Sequence, residues 1–75
     1  MKVFVRLIGP VAIKLGFNEK ELEVPEGTKL EGLFRLLKVE PVLPMIITRN
    51  GKSIEPEDKL QSGDRIVIAH VYSGG

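Results

Sequence analysis

Seventy-five residues suffice for one domain and no more, and a domain of that size hides only roughly 60% of the surface its unfolded chain exposes. There is no cysteine, so a disulfide framework and any cysteine-based metal site are excluded; the fold has to be held by an apolar fraction of 43%. Eleven basic against ten acidic residues leave a formal charge of +1, without the basic surplus that a nucleic-acid partner selects.

No apolar run approaches the roughly 18 residues of a membrane span, so no membrane partner is expected. The opening residues are interrupted by Arg6 and lack a small-residue cleavage site, so they are not expected to act as a secretion leader. A cytoplasmic setting is the expectation, in keeping with the absence of cysteine.

The first predicted element is a strand over residues 2–8. Val3, Val5 and Leu7 alternate with Phe4, Arg6 and Ile8, and only the first set is free of charge, so it is assigned to the core. Gly9-Pro10 stops the strand, residues 11–15 are apolar enough for one or two helical turns, and residues 16–20 carry turn chemistry. A second strand is expected over residues 21–24, where Glu21 and Glu23 alternate with Leu22 and Val24. The two strands form an antiparallel hairpin with an enlarged connection.

After the turn Pro25-Glu26-Gly27, Thr28 and Glu31 have the spacing of a capping box. Leu30, Leu33, Phe34 and Leu37 recur at i, i+3, i+4 and i+7 and form one apolar stripe. Gly32 inside this helix costs about 1 kcal/mol relative to alanine. Pro41 biases Glu40 away from helix, so the helix is expected to end near Val39, with residues 40–44 extended or irregular.

A third strand over residues 45–49 ends at Asn50-Gly51, a strong hairpin signal because both residues tolerate positive φ. Residues 52–54 are the short return strand. A polar loop follows, with Leu60 plugging the core beneath it, and Ser62-Gly63-Asp64 is a further turn. Residues 65–71 form the most apolar strand, which places it in the middle of its sheet. The expected fold class is therefore α+β: a mixed four- to five-stranded sheet with the first and last strands parallel at its centre and one main helix across one face. The whole chain, residues 1–75, is read as a single domain with a flexible C-terminal tail over residues 72–75.

Four groups of residues bear on function. Gly74-Gly75 follow directly on the central strand, so they project from a rigid body, and having no Cβ they can thread a narrow channel. A carboxylate there is a weak electrophile until one oxygen becomes a leaving group, as in an acyl-adenylate open to sulfur or nitrogen nucleophiles. The sheet face away from the helix carries Phe4, Val67, Ala69 and Val71, a contiguous apolar patch that marks a partner site, with Arg6 and Arg65 at its rim. His70 is the single histidine and has no second ligand to join it, so packing or a contact at the base of the tail is its expected role, as it is for Tyr72. The acidic residues Glu55, Glu57 and Asp58 lack calcium-loop spacing, and no metal site is expected. No Gly-x-Gly-x-x-Gly or P-loop pattern is present, so the chain is not expected to activate its own carboxylate or to be an enzyme.

In its order of elements and its motifs the chain resembles the ThiS/MoaD family of sulfur carriers, which are ubiquitin-like β-grasp proteins. The resemblance covers nearly the whole chain. It rests on the segment from Lys2 to Pro10, on Val24-Pro25-Glu26-Gly27-Thr28, on Arg49-Asn50-Gly51-Lys52, on Ser62-Gly63-Asp64-Arg65, and above all on Gly74-Gly75. It implies that an E1-like adenylating enzyme, using ATP, activates the carboxylate of Gly75, while Gly74, Ser73 and Tyr72 enter that partner's active site. A sulfur donor then forms a thiocarboxylate, and the carrier passes the sulfur to a thiazole synthase of thiamine biosynthesis or to the large subunit of molybdopterin synthase. The resemblance implies no cofactor bound to the chain itself and a monomer when free.

Both branches of the family stay open. The segment from Gly9 to Leu15 is similar to the molybdopterin-synthase small subunit, whereas the short length and His70-Val71-Tyr72-Ser73 are similar to the thiamine carrier, and a Pro-Pro before the glycines is missing. Two further readings stand beside the carrier: a protein modifier joined to target lysines through Gly75, and a plain β-grasp interaction module.

Overall fold

The computed structural model describes residues 1–39 and 45–70, the last of these by its backbone alone. Seven elements follow in chain order: β1 (Lys2–Ile8), α1 (Pro10–Leu15), β2 (Glu19–Glu23), α2 (Leu30–Leu37), β3 (Met45–Arg49), β4 (Lys52–Ser53) and β5 (Arg65–His70). Among the described residues the strands form one mixed sheet in the order β2-β1-β5-β3-β4. β1 and β5 run parallel at its centre, with Phe4 opposite Arg65 and Ile8 opposite Ala69. The antiparallel pairs β1·β2 and β3·β5 flank them. Each hairpin thus adds its strands outside the central pair, as the sequence predicts.

The alternation in β1 sends Val3, Val5 and Leu7 inward, where they meet Ile66 and Ile68 of β5 and the α2 stripe Leu30, Leu33 and Phe34. Leu37 sits at the edge of this core, half-buried. Leu60 is buried beneath the β4–β5 loop and Ile54 beside it, so Ile54 serves as a core residue after β4 rather than as part of that strand. α1 closes one end of the core through Val11 and Ala12. Gly9, at φ +90°, makes the bend that turns β1 into α1.

Three local expectations are corrected. β2 begins two residues earlier than the alternation suggests, because Glu19 and Lys20 pair with Arg6 and Val5; β1 extends the ladder over residues whose own composition reads as a turn. The capping box at Thr28 does not form: Lys29 is the N-cap and no side chain caps it. Instead Thr28 Oγ1 donates to the Pro25 carbonyl at 2.7 Å. The free amides of the first turn, Leu30 and Glu31, donate to the carbonyls of Asp58 and Pro56, both at 3.0 Å. A distant loop therefore satisfies the groups that a local box would have satisfied. Finally, α2 stops at Leu37, before Pro41 can act. Lys38 is left-handed at φ 57°, its amide donates to Arg35 and Phe34, and the Val39 amide closes on the Phe34 carbonyl at 3.0 Å, a Schellman-type ending. The expectation for residues 40–44 lies outside the described residues.

The β3–β4 turn is tied to β5 by a polar cluster. Asn50 (φ 52°) and Gly51 (φ 83°) both take the positive φ of the hairpin turn. Asn50 accepts from the Arg65 amide at 2.9 Å through Oδ1 and donates to Asp64 Oδ1 at 3.2 Å through Nδ2. Asp64, a charged residue only 5% exposed, also accepts from the Gln61 amide at 2.8 Å. Arg49 lies 3.7 Å from Asp64 Oδ2 and donates to the Lys59 carbonyl at 2.8 Å. The buried carboxylate is held by donors from two loops.

Both the helix ending and this cluster can be tested by substitution. Lys38→Gly removes the Cβ that disfavours a left-handed residue and should raise the unfolding free energy by about 0.5–1 kcal/mol in urea titrations. Asp64→Ala removes the buried acceptor of the Asn50 and Gln61 donors and should lower it by about 1–3 kcal/mol in the same measurement, about 0.5–1.5 kcal/mol for each hydrogen bond lost.

Candidate functional site

The sheet has one face against α2 and the core and one face free of any described element. Cross-strand partners share a face, so the register resolves the free face into three rows. One row runs Glu21–Phe4–Arg65, the next Glu19–Arg6–Val67–Thr48, and the third Ile8–Ala69–Ile46. Phe4 is 41% exposed, Ile8 46% and Ile46 58%; Val67 and Ala69 are half-buried between their neighbours.

The predicted patch residues Phe4, Arg6, Val67 and Ala69 do come together on this face, but its character changes along the strands. At the Phe4 end it is mixed: the Arg65 guanidinium lies 5.7 Å from the centre of the Phe4 ring, and Arg6 is 3.7 Å from Glu19 across the β1·β2 pair. Phe4, Arg6, Glu19, Glu21, Arg65 and Val67 line a shallow open depression there. The wholly apolar row is the third, at the end where β5 leaves the sheet. Ile8 and Ile46 therefore carry more of the apolar surface than Phe4 does. The alternation in β1 places Ile8 on this face. Ile46 escapes sequence reading, because Met45-Ile46-Ile47 is apolar on both sides and only pairing with Ala69 reveals which side faces out.

Because β1 and β5 are parallel, both end at the same edge of the molecule, and Ala69 opposite Ile8 sets the exit of β5 beside Gly9. Val71, Tyr72, Ser73, Gly74 and Gly75, the remaining predicted site residues, lie outside the described residues, as does the side chain of His70. The acidic loop serves the fold. Asp58 Oδ2 accepts from the Glu55 amide at 2.9 Å, and the loop carbonyls cap α2. Among the described residues no cluster of His, Asp or Glu able to hold a metal ion is formed, and no helix is long and apolar enough to cross a membrane.

A single main helix crossing a mixed sheet with parallel central strands defines the class: this is a ubiquitin-like β-grasp domain. The model of the ThiS family matches residues 5–75, and the chain belongs to that family. No curated protein matches it significantly by sequence. Among solved structures, a putative molybdopterin converting factor subunit 1 from Pyrococcus furiosus is similar at a TM-score of 0.84 and 24% identity, covering 93% of this chain and 97% of that one. SAMP1 from Haloferax volcanii gives a TM-score of 0.82 at 17% identity, with both chains covered fully. The complex of subunits 1 and 2 of the molybdopterin-converting factor from Helicobacter pylori gives 0.67 at 23% identity, again with full coverage of both chains. At these identities the structural likeness establishes the fold.

The outward row is surface and not core, and this has a measurable consequence. Ile46→Lys should leave the unfolding free energy within about 0.5 kcal/mol of the parent. Ile68→Ala, on the same sheet but fully buried, should lower it by about 2–5 kcal/mol. Thermal or urea unfolding followed by circular dichroism separates the two; equal losses would mean that the third row is packed against something in the folded chain.

Proposed function

We propose that the chain is a sulfur carrier whose reacting group is the carboxylate of Gly75, and that catalysis is supplied by its partners. The observation that carries this reading is the ThiS family match, which runs through the glycine pair to residue 75. Support comes from the parallel strand pair that ends β5 at one edge of the sheet, with an apolar row beside that end for a partner to grip.

The chemistry is balanced by the partner's ATP. An E1-like adenylating enzyme lets the Gly75 carboxylate attack the α-phosphate, and pyrophosphate leaves. A hydrosulfide-equivalent donor then adds to the acyl carbon; the carbon–sulfur bond forms, the carbon–oxygen bond to AMP breaks, and a thiocarboxylate remains. Gly74, Ser73 and Tyr72 line up behind Gly75 in the partner's channel, where a residue without Cβ needs the least width. The face bearing Phe4, Arg6, Val67 and Ala69 docks the body of the carrier. The sulfur then goes to a synthase: a likeness to subunit 1 of a molybdopterin-converting factor complexed with its subunit 2 favours a partner of that kind, and a thiazole synthase is the counterpart on the thiamine side.

The likeness to SAMP1 keeps one other reading in view, in which the same adenylate is attacked by a lysine amine and Gly75 ends in an isopeptide bond. Intact-mass measurement after incubation with an E1-like enzyme, ATP and a sulfide source separates the two. The carrier gains the mass difference between sulfur and oxygen, and deletion of Gly75 abolishes the gain. Conjugates of higher mass in cell extract, without that gain, would replace the carrier by the modifier. An unchanged mass with no conjugates would leave only an interaction module.

A further inference from the structure

α1 is short, and two of its residues, Val11 and Ala12, suffice to anchor it to the core. Ile13 on the same helix is 86% exposed, the most exposed large apolar side chain among the described residues. Its position gives that exposure meaning. The parallel register sets the end of β5 opposite Gly9, the residue that precedes α1. Ile13 and Ile8 line one shallow concave surface with Gly9 and Ala12, bordered by Arg6, Asn18 and Glu19. The apolar row Ile46–Ala69–Ile8 therefore continues around the edge of the sheet onto α1.

The reach of the chain limits what can cover this ledge. From the end of β5 to Gly75 there are five residues, 71–75, which span at most about 17 Å when fully extended. A protein that holds Gly75 in an active site thus has surface within that radius of the exit, and α1, about 9 Å long, falls inside it. α1 is therefore within reach of such a partner, and contact there would desolvate an isoleucine that stands 86% exposed in the free chain. Resting on the carrier reading above, we infer that α1 is a second docking element for the adenylating enzyme, with Ile13 and Ile8 seated on an apolar patch of that enzyme beside the channel for the glycines. The sheet face orients the carrier, and the α1 ledge fixes how far the tail penetrates.

The test is ATP–pyrophosphate exchange by the E1-like enzyme of the same genome, followed as a function of carrier concentration. Ile13→Asp should raise the carrier KM about tenfold or more, the loss expected from exposing one isoleucine and placing a charge in its seat, with kcat within about twofold of the parent. Leu36→Asp, at a 58% exposed position of α2, should leave both constants unchanged. Melting curves check that each variant folds, and Ile13→Ser gives the same direction should the charged variant be unstable. If Ile13→Asp and Ile13→Ser keep the parental KM while deletion of Gly75 abolishes exchange, the ledge is overturned and the carrier reading stands. If exchange is absent with the parent, or survives deletion of Gly75, the carrier reading falls and the ledge with it. An unchanged KM with a shift in sedimentation on substituting Ile13 overturns the inference in favour of a second copy of this chain as the occupant.

Discussion

The parallel pairing of β1 with β5 is the constraint from which the rest of the molecule follows. It joins two segments separated by nearly the whole chain, a long-range closure whose chain entropy the buried contacts of the two strands must offset. The inward residues of the two strands, Val3, Val5, Ile66 and Ile68, are essentially without exposure and meet the α2 stripe directly. That one pairing also decides direction. Two strands running the same way end at the same edge, which is why α1, the apolar row and the exit of β5 converge there.

Much of this was legible in the residues. Charge-free alternation assigns the inward face of β1, and the apolar density of β5 places it centrally. Asn50-Gly51 marks its turn without ambiguity, since positive φ at both positions leaves few alternatives. Where the reading failed, a distant group had taken over a local role. Thr28 and Glu31 have the right spacing for a cap, but backbone carbonyls of the β4–β5 loop occupy the amides first. Lys38 ends α2 in a left-handed conformation that no lysine announces. The beginning of β2 is dictated by its partner strand.

The candidate site divides in the same way. Period-two patterning within β1 and β5 is enough to bring Phe4, Arg6, Val67 and Ala69 to one face. It cannot rank them, because exposure depends on the neighbour across the ladder: Phe4 is partnered by charged residues, whereas Ile8 is partnered through Ala69 with Ile46. Ile13 eludes any periodicity, because α1 spans fewer than two turns and Val11, Ala12, Ile13 and Leu15 are apolar all around it. Only the closure of the sheet reveals that it stands next to the strand exit.

The parallel arrangement has one more consequence. β1 enters the sheet at the edge opposite to the one where β5 leaves it, and a seven-residue strand separates the two by about 23 Å. The molecule has poles. At the first, the Met1 amine is held by the Val24 carbonyl at 2.8 Å and lies 3.4 Å from Glu23, so the chain there is stitched to β2. Whatever is attached ahead of Met1, an affinity handle or a fluorophore, is carried on the far side of the body from Ile8, Ile46 and α1, and the opposite pole stays clear for a large visitor.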